Sequence, residues 1–73
     1  MDESTLFKIV EEATGADAGS VSLDTTSADI EGWDSLGHLT IISAINEHLG
    51  DDVEEDPRLA SADSVKELVD ILL

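Results

Sequence analysis

Gly32-Trp33-Asp34-Ser35-Leu36-Gly37-His38-Leu39 is the stretch on which the reading of this chain turns. Asp34 and Ser35 are residue types that cap a helix with a side-chain oxygen. From Leu36 onward the apolar series Leu36, Leu39, Ile42, Ile45 and Leu49 covers close to half of a helical circumference. Gly50 stops the helix. So wide an apolar face predicts the central helix of a bundle, starting at Asp34 and Ser35 and ending at Leu49.

Upstream, Ser4 is a candidate N-cap, and Leu6, Ile9, Val10 and Ala13 recur at the spacing of one buried helix face before Gly15 ends the segment. Gly15 to Trp33 is rich in Ala, Asp, Ser, Thr and Gly and has no helical stripe, so it reads as a long loop anchored by Val21, Leu23 and Ile30. An ordered loop of that length usually serves a function. Downstream, Asp51 to Asp56 is acidic apart from Val53, and Asp56-Pro57 offers an N-cap followed by proline for a short helix through Leu59 and Ala60. Ser64-Val65-Lys66-Glu67 opens a last helix with a capping box, and Val65, Leu68, Val69 and Leu72 supply its apolar face. The expected fold is an all-α four-helix bundle, a single domain over residues 1–73. Its predicted core contains Leu39, Ile42, Ile45, Val65, Leu68 and Leu72.

Composition narrows the function. The chain has 73 residues, with 18 Asp or Glu against 3 Lys or Arg, a formal charge of −15. Lys8, Arg58 and Lys66 are too few and too scattered to hold a phosphate backbone, so nucleic acid is excluded as a partner and basic surfaces are favoured. The chain is 41% hydrophobic, with a mean hydropathy of −0.00, enough apolar content for a folded core. Cysteine is absent, which removes disulfides, thiolate metal sites and any nucleophilic thiol of the polypeptide. The acidic N-terminal Met1-Asp2-Glu3-Ser4 and the lack of a long apolar run argue against a signal peptide or membrane span and predict a cytoplasmic protein; a monomer is expected.

A serine at the tip of a long loop and in the first turn of a helix is exposed and addressable. The free amides and the positive dipole end of that turn favour a phosphate ester there. Local propensity alone favours reading Asp34 and Ser35 as ordinary capping residues over any chemistry. Catalytic arrangements fail on spacing. A nucleophile elbow needs glycine two residues before the serine, where Trp33 stands. Asp34, Ser35 and His38 crowd one helical turn and do not form a serine–histidine–carboxylate chain. A calcium loop aligned on Gly32 puts His38 where a bidentate glutamate belongs. No catalytic residue and no metal site is therefore expected. His38 reads as a histidine satisfied by a hydrogen bond at the core edge, and Trp33 as a loop anchor that also stands beside the serine.

Asp34-Ser35-Leu36 opening a helix with the apolar series to Leu49, after a long loop and in a four-helix acidic chain, resembles the acyl carrier protein family, including peptidyl carrier domains. The resemblance spans the whole chain. It implies that Ser35 is esterified by 4′-phosphopantetheine, donated from coenzyme A by a phosphopantetheinyl transferase using magnesium. The arm's thiol would then carry acyl or aminoacyl groups as thioesters, and the reactive sulfur missing from the polypeptide would arrive with the prosthetic group. Such a chain is no enzyme; the chemistry belongs to an activating ligase and to acyltransferases or synthases with basic docking surfaces. The expected recognition residues are Asp34 and Leu36, then Gly37, Thr40, Ile41 and Glu47 along the side of the helix away from the core, and Trp33 beside them.

That side reads Gly37, Thr40, Ser43, Ala44 and Glu47 with Ile41 at its edge, nearly neutral where fatty-acid carriers show several carboxylates. Ile30-Glu31-Gly32-Trp33 likewise departs from their usual lead-in and is similar to stand-alone carriers of dedicated pathways. The expectation is a specialised carrier for polyketide, nonribosomal peptide or modified-lipid intermediates. The alternatives are an aminoacyl carrier loaded by an adenylating ligase, and an unmodified acidic interaction module. Individual carboxylates such as Glu11, Glu12, Asp51, Asp52, Glu54 and Glu55 read as a solvated face.

Overall fold

A computed structural model describes residues 2–50 and 56–73. Four helices follow one another: α1 (Glu3–Thr14), α2 (Ser35–Leu49), α3 (Pro57–Ser61) and α4 (Val65–Leu72), with a 3-10 turn (Ser27–Asp29) in the long loop. No strand occurs among the described residues. The acidic run from 51 to 55, including Asp51, Asp52, Glu54 and Glu55, lies outside the described residues.

Each helix start follows from a side-chain acceptor placed to meet an orphan amide. For α1 that acceptor is Asp2, whose Oδ1 takes the Thr5 amide at 2.9 Å, so the helix begins earlier than a Ser4 cap would allow. Hydrogen bonding from the Thr5 side chain and amide holds the Asp2 carboxyl below its ordinary value. Asp34 caps α2, Asp56 caps α3 ahead of Pro57, and Ser64 caps α4 by accepting the Glu67 amide at 3.2 Å. The Glu67 carboxylate accepts from the Asp63 amide at 2.9 Å, one residue beyond the Ser64 amide of the expected box. Gly15 and Gly50 close α1 and α2 in the left-handed conformation, as their positions predict.

α1 packs most extensively on α2, while α3 and α4 complete the bundle. The core is aliphatic: Leu6, Val10, Ile41, Ile45, Leu59, Val65 and Leu68 are all but inaccessible, with Val21, Trp33, Ile42 and Ala62 around them. Leu72 is half-buried at the edge, and Leu23, a predicted anchor, is exposed.

The largest correction concerns α2. Leu39, predicted for the core, is 62% exposed, and Ile41, predicted for the edge of the outer side, is fully buried. The helix carries two apolar stripes, and it is the one through Ile41, Ile42 and Ile45 that faces its neighbours. Leu36 shares its stripe with Thr40, Ser43 and Glu47 at helical repeats, and that whole stripe faces outward.

The long loop is tied down at both ends and in the middle. The Glu11 carboxylate accepts from the Gly19 amide at 2.9 Å and more weakly from the Val21 amide, so this residue clamps the loop to α1 rather than merely facing solvent. An antiparallel bridge joins Thr26 to Ser64, with the Ser27 amide on the Asp63 carbonyl and the Val65 amide on the Thr25 carbonyl. These bonds satisfy loop backbone that would otherwise be unpaired.

Candidate functional site

The site is built where the long loop enters α2. Asp34 is extended, and its Oδ1 accepts from the Gly37 amide at 2.9 Å while its carbonyl accepts from the His38 amide at 2.8 Å. Both first-turn amides beyond Leu36 are thus satisfied within the protein. Those of Ser35 and Leu36 belong to the start of the helix, where amides have no intrahelical partner, and Ser35 itself is exposed.

Two close approaches hold this turn in place. A Cβ on Gly37 would overlap the Gly32 carbonyl oxygen, and a Cβ on Gly32 would overlap the Thr14 carbonyl oxygen. The end of α1, the loop and the first turn of α2 are therefore cinched backbone to backbone, which only glycine permits at positions 32 and 37. Gly37 is buried. Its predicted role as a partner contact is replaced by a packing role.

Trp33 is likewise turned inward, at 6% exposure, so it anchors the loop and is not a surface contact. Its Nε1–H donates to His38 Nδ1 at 3.0 Å. The other ring nitrogen of His38 lies 2.7 Å from the Leu59 carbonyl of α3, the satisfied core-edge histidine expected from its position. Ile41 is the third recognition residue withdrawn from the surface, because it is fully buried in the aliphatic core.

Asp34, Ser35, Leu36, Thr40 and Glu47 are exposed, and Leu39 joins them, a residue that the apolar series had hidden by suggesting the core. The signal that could have found it was the polar stripe of Thr40, Ser43 and Glu47 in register with Leu36. Between α2 and α3 runs an open cleft of about 800 Å³, lined by Ser35, His38, Leu39 and Ile42 on one side and by Ala60 and Ala62 on the other. A second, more polar concavity lies under the long loop and does not include Ser35. Among the described residues no group of His, Asp and Glu is arranged to hold a metal ion, and no helix is long and apolar enough to cross a membrane.

The family model described as phosphopantetheine attachment site matches residues 4–72. The chain belongs to that family. Phosphopantetheine attachment domains carry 4′-phosphopantetheine covalently on a serine, are not catalytic themselves, and work with transferases and synthases. The chain is thus an acyl-carrier-type protein on a small all-α fold. No curated protein and no solved structure matches it.

The site fits the prosthetic group on its own features. An exposed hydroxyl stands at the first residue of a fifteen-residue helix, beside amides that have no partner in the turn and on the edge of a partly apolar cleft. A phosphodiester there gains the positive end of the helix dipole.

Proposed function

We propose that Ser35 is the serine that carries 4′-phosphopantetheine, and that the protein presents acyl or aminoacyl intermediates to partner enzymes of a specialised biosynthetic pathway in the cytoplasm, acting as a monomer. The observation that carries this reading is the exposed Ser35 hydroxyl at the start of α2, in a chain the family model covers from residue 4 to residue 72. The prosthetic group supplies a terminal thiol on which cargo rides as a thioester.

The residues of the chain divide the remaining work. Asp34 fixes the helix start by capping Gly37, which leaves the Ser35 hydroxyl and the outermost amides clear for the phosphodiester. Ser35, Leu39 and Ile42 on α2 and Ala60 and Ala62 near α3 give the arm a groove to lie along. Leu36 and Leu39 offer apolar side chains to a docking enzyme, with Thr40 and Glu47 farther along the same face.

Pathway and partners follow from charge. The outward face of α2 carries one carboxylate, Glu47, beyond the capping Asp34, so contact there is largely apolar. The bulk of the −15 charge sits elsewhere and steers the protein toward basic partner surfaces without strengthening the final contact greatly. Such a division suits a carrier that visits a transferase, an activating ligase and acyltransferases or synthases in turn. It also supports a dedicated pathway over housekeeping fatty-acid synthesis.

The test is intact mass before and after incubation with coenzyme A, magnesium and a broad-specificity phosphopantetheinyl transferase, followed by peptide mapping. A gain of one phosphopantetheine on Ser35 is expected. No gain in a folded protein would leave an unmodified acidic interaction module as the reading to pursue.

A further inference from the structure

The indole of Trp33 and the imidazole of His38 lie in nearly parallel planes, inclined by 13° with centroids 6.2 Å apart. An indole N–H points outward in the plane of its ring, so the 3.0 Å bond to His38 Nδ1 means that the rings meet edge to edge rather than face to face. Trp Nε1 is a donor only, so His38 Nδ1 must be bare and accept. The ring proton then sits on Nε2, which donates to the Leu59 carbonyl at 2.7 Å. The other neutral tautomer would set N–H against N–H at Trp33 and a lone pair against the Leu59 oxygen. One tautomer satisfies both neighbours.

These three residues belong to three elements that meet at the attachment site. Trp33 ends the long loop, with its amide bonded to the Ile30 carbonyl, and lies two residues before Ser35. His38 stands one turn after Ser35 on α2, and Leu59 is the buried residue of α3. Trp33 and His38 both line the cleft between α2 and α3, the same cleft that Ser35 lines.

We propose that His38 is a positioning residue for the attachment reaction: as its Nε2–H tautomer it clasps the loop end to the first turns of α2 and to α3, holding Ser35 in a fixed relation to the cleft. The proposal rests on the reading of Ser35 as the attached serine. It assigns to His38 and Trp33 no contact with the incoming group. Their effect is to restrict the wander of the turn that presents the hydroxyl, which acts on the turnover step more than on docking.

The first readout is independent of loading. In ¹⁵N-histidine-labelled apo-protein, the His38 ring should show an acceptor-type Nδ1 and a protonated Nε2, with exposed His48 as the internal reference. A mixture of tautomers, or a proton on Nδ1, would overturn the clasp. The second readout is steady-state transfer from coenzyme A to His38→Ala, His38→Asn and Trp33→Phe. His38→Ala and Trp33→Phe should lower kcat about tenfold with KM for the carrier within about twofold of wild type. His38→Asn keeps an acceptor near the Nδ1 position and should recover most of the loss. Trp33→Phe removes the indole N–H while keeping a buried ring, so it serves if His38→Ala does not fold. Wild-type kcat in the folded variants, or an Asn variant no better than Ala, would overturn the proposal. Absence of loading in the wild type overturns the Ser35 reading instead, and the ring nitrogens still report whether the clasp exists.

Discussion

On the inner face of α2, Ile41, Ile42 and Ile45 are between 0% and 5% exposed, while on the outer face Leu36 and Leu39 are 76% and 62% exposed. Both faces are aliphatic, and one helix carries them a few residues apart. Their difference lies in the company each keeps. The inner stripe continues into buried Gly37 and half-buried His38 and Leu49, whereas the outer one continues into Ser35, Thr40, Ser43 and Glu47. Apolar content therefore marks a helix as important to the fold without saying which way it turns. Two large leucines left in water beside Ser35 support the docking face proposed for this helix.

The sharpest way to break this division is Ser35→Ala, which removes the hydroxyl from the outer face and touches nothing in the core. Loading by the transferase should fall to zero by intact mass, with the helical circular dichroism unchanged. A variant that unfolds would show that the outer face also holds the structure together.

A paired truncation sharpens the comparison. Ile45→Ala should cost about 2–5 kcal/mol, because a fully buried side chain leaves a cavity behind. Leu39→Ala should stay within about 0.5 kcal/mol in denaturant unfolding while slowing transfer to Ser35. Equal losses in the two variants would mean that Leu39 packs after all.

Gly37→Ala tests the seam between the faces, and there the sign is diagnostic. In an open helix alanine is favoured over glycine by about 1 kcal/mol. Against the Gly32 carbonyl the added methyl should instead destabilise by about 1–3 kcal/mol, read as a lower thermal midpoint.

The smallest effect concerns charge, which neither face of α2 carries in quantity. With −15 on 73 residues, added salt or magnesium should raise the thermal midpoint by screening repulsion. A flat midpoint across ionic strength would show that the carboxylates are already balanced by local bonds such as the Arg58–Asp56 pair, 2.8 Å apart, in which the Arg58 side chain and then its amide hold the Asp56 carboxyl below its ordinary value.

Much of this protein was legible in order. The limits of α2, with Asp34 before it and Gly50 after it, the Asp56-Pro57 start of α3 and the Ser64 cap of α4 all follow from local chemistry, since a cap is satisfied within a few residues. The start of α1 did not, because Asp2 and Ser4 are both competent caps and only the Asp2 carboxylate meets the Thr5 amide. Recognition of Asp34-Ser35-Leu36 in a short, acidic, cysteine-free helical chain was enough to reach the family, which the match over residues 4–72 bears out.

The sequence by itself determined the four helices, the acidic character, and a serine at the first turn of the central helix, because each depends on neighbours along the chain. The tertiary structure alone decided that Ile41 turns in and Leu39 turns out, that Gly32 and Gly37 let two backbones touch, that Glu11 clamps a loop eight and ten residues away, and that Trp33 and the Leu59 carbonyl meet the two ring nitrogens of His38. Those outcomes depend on which surface of one element meets another, a relation that exists only once α1, α3 and the long loop have settled against α2.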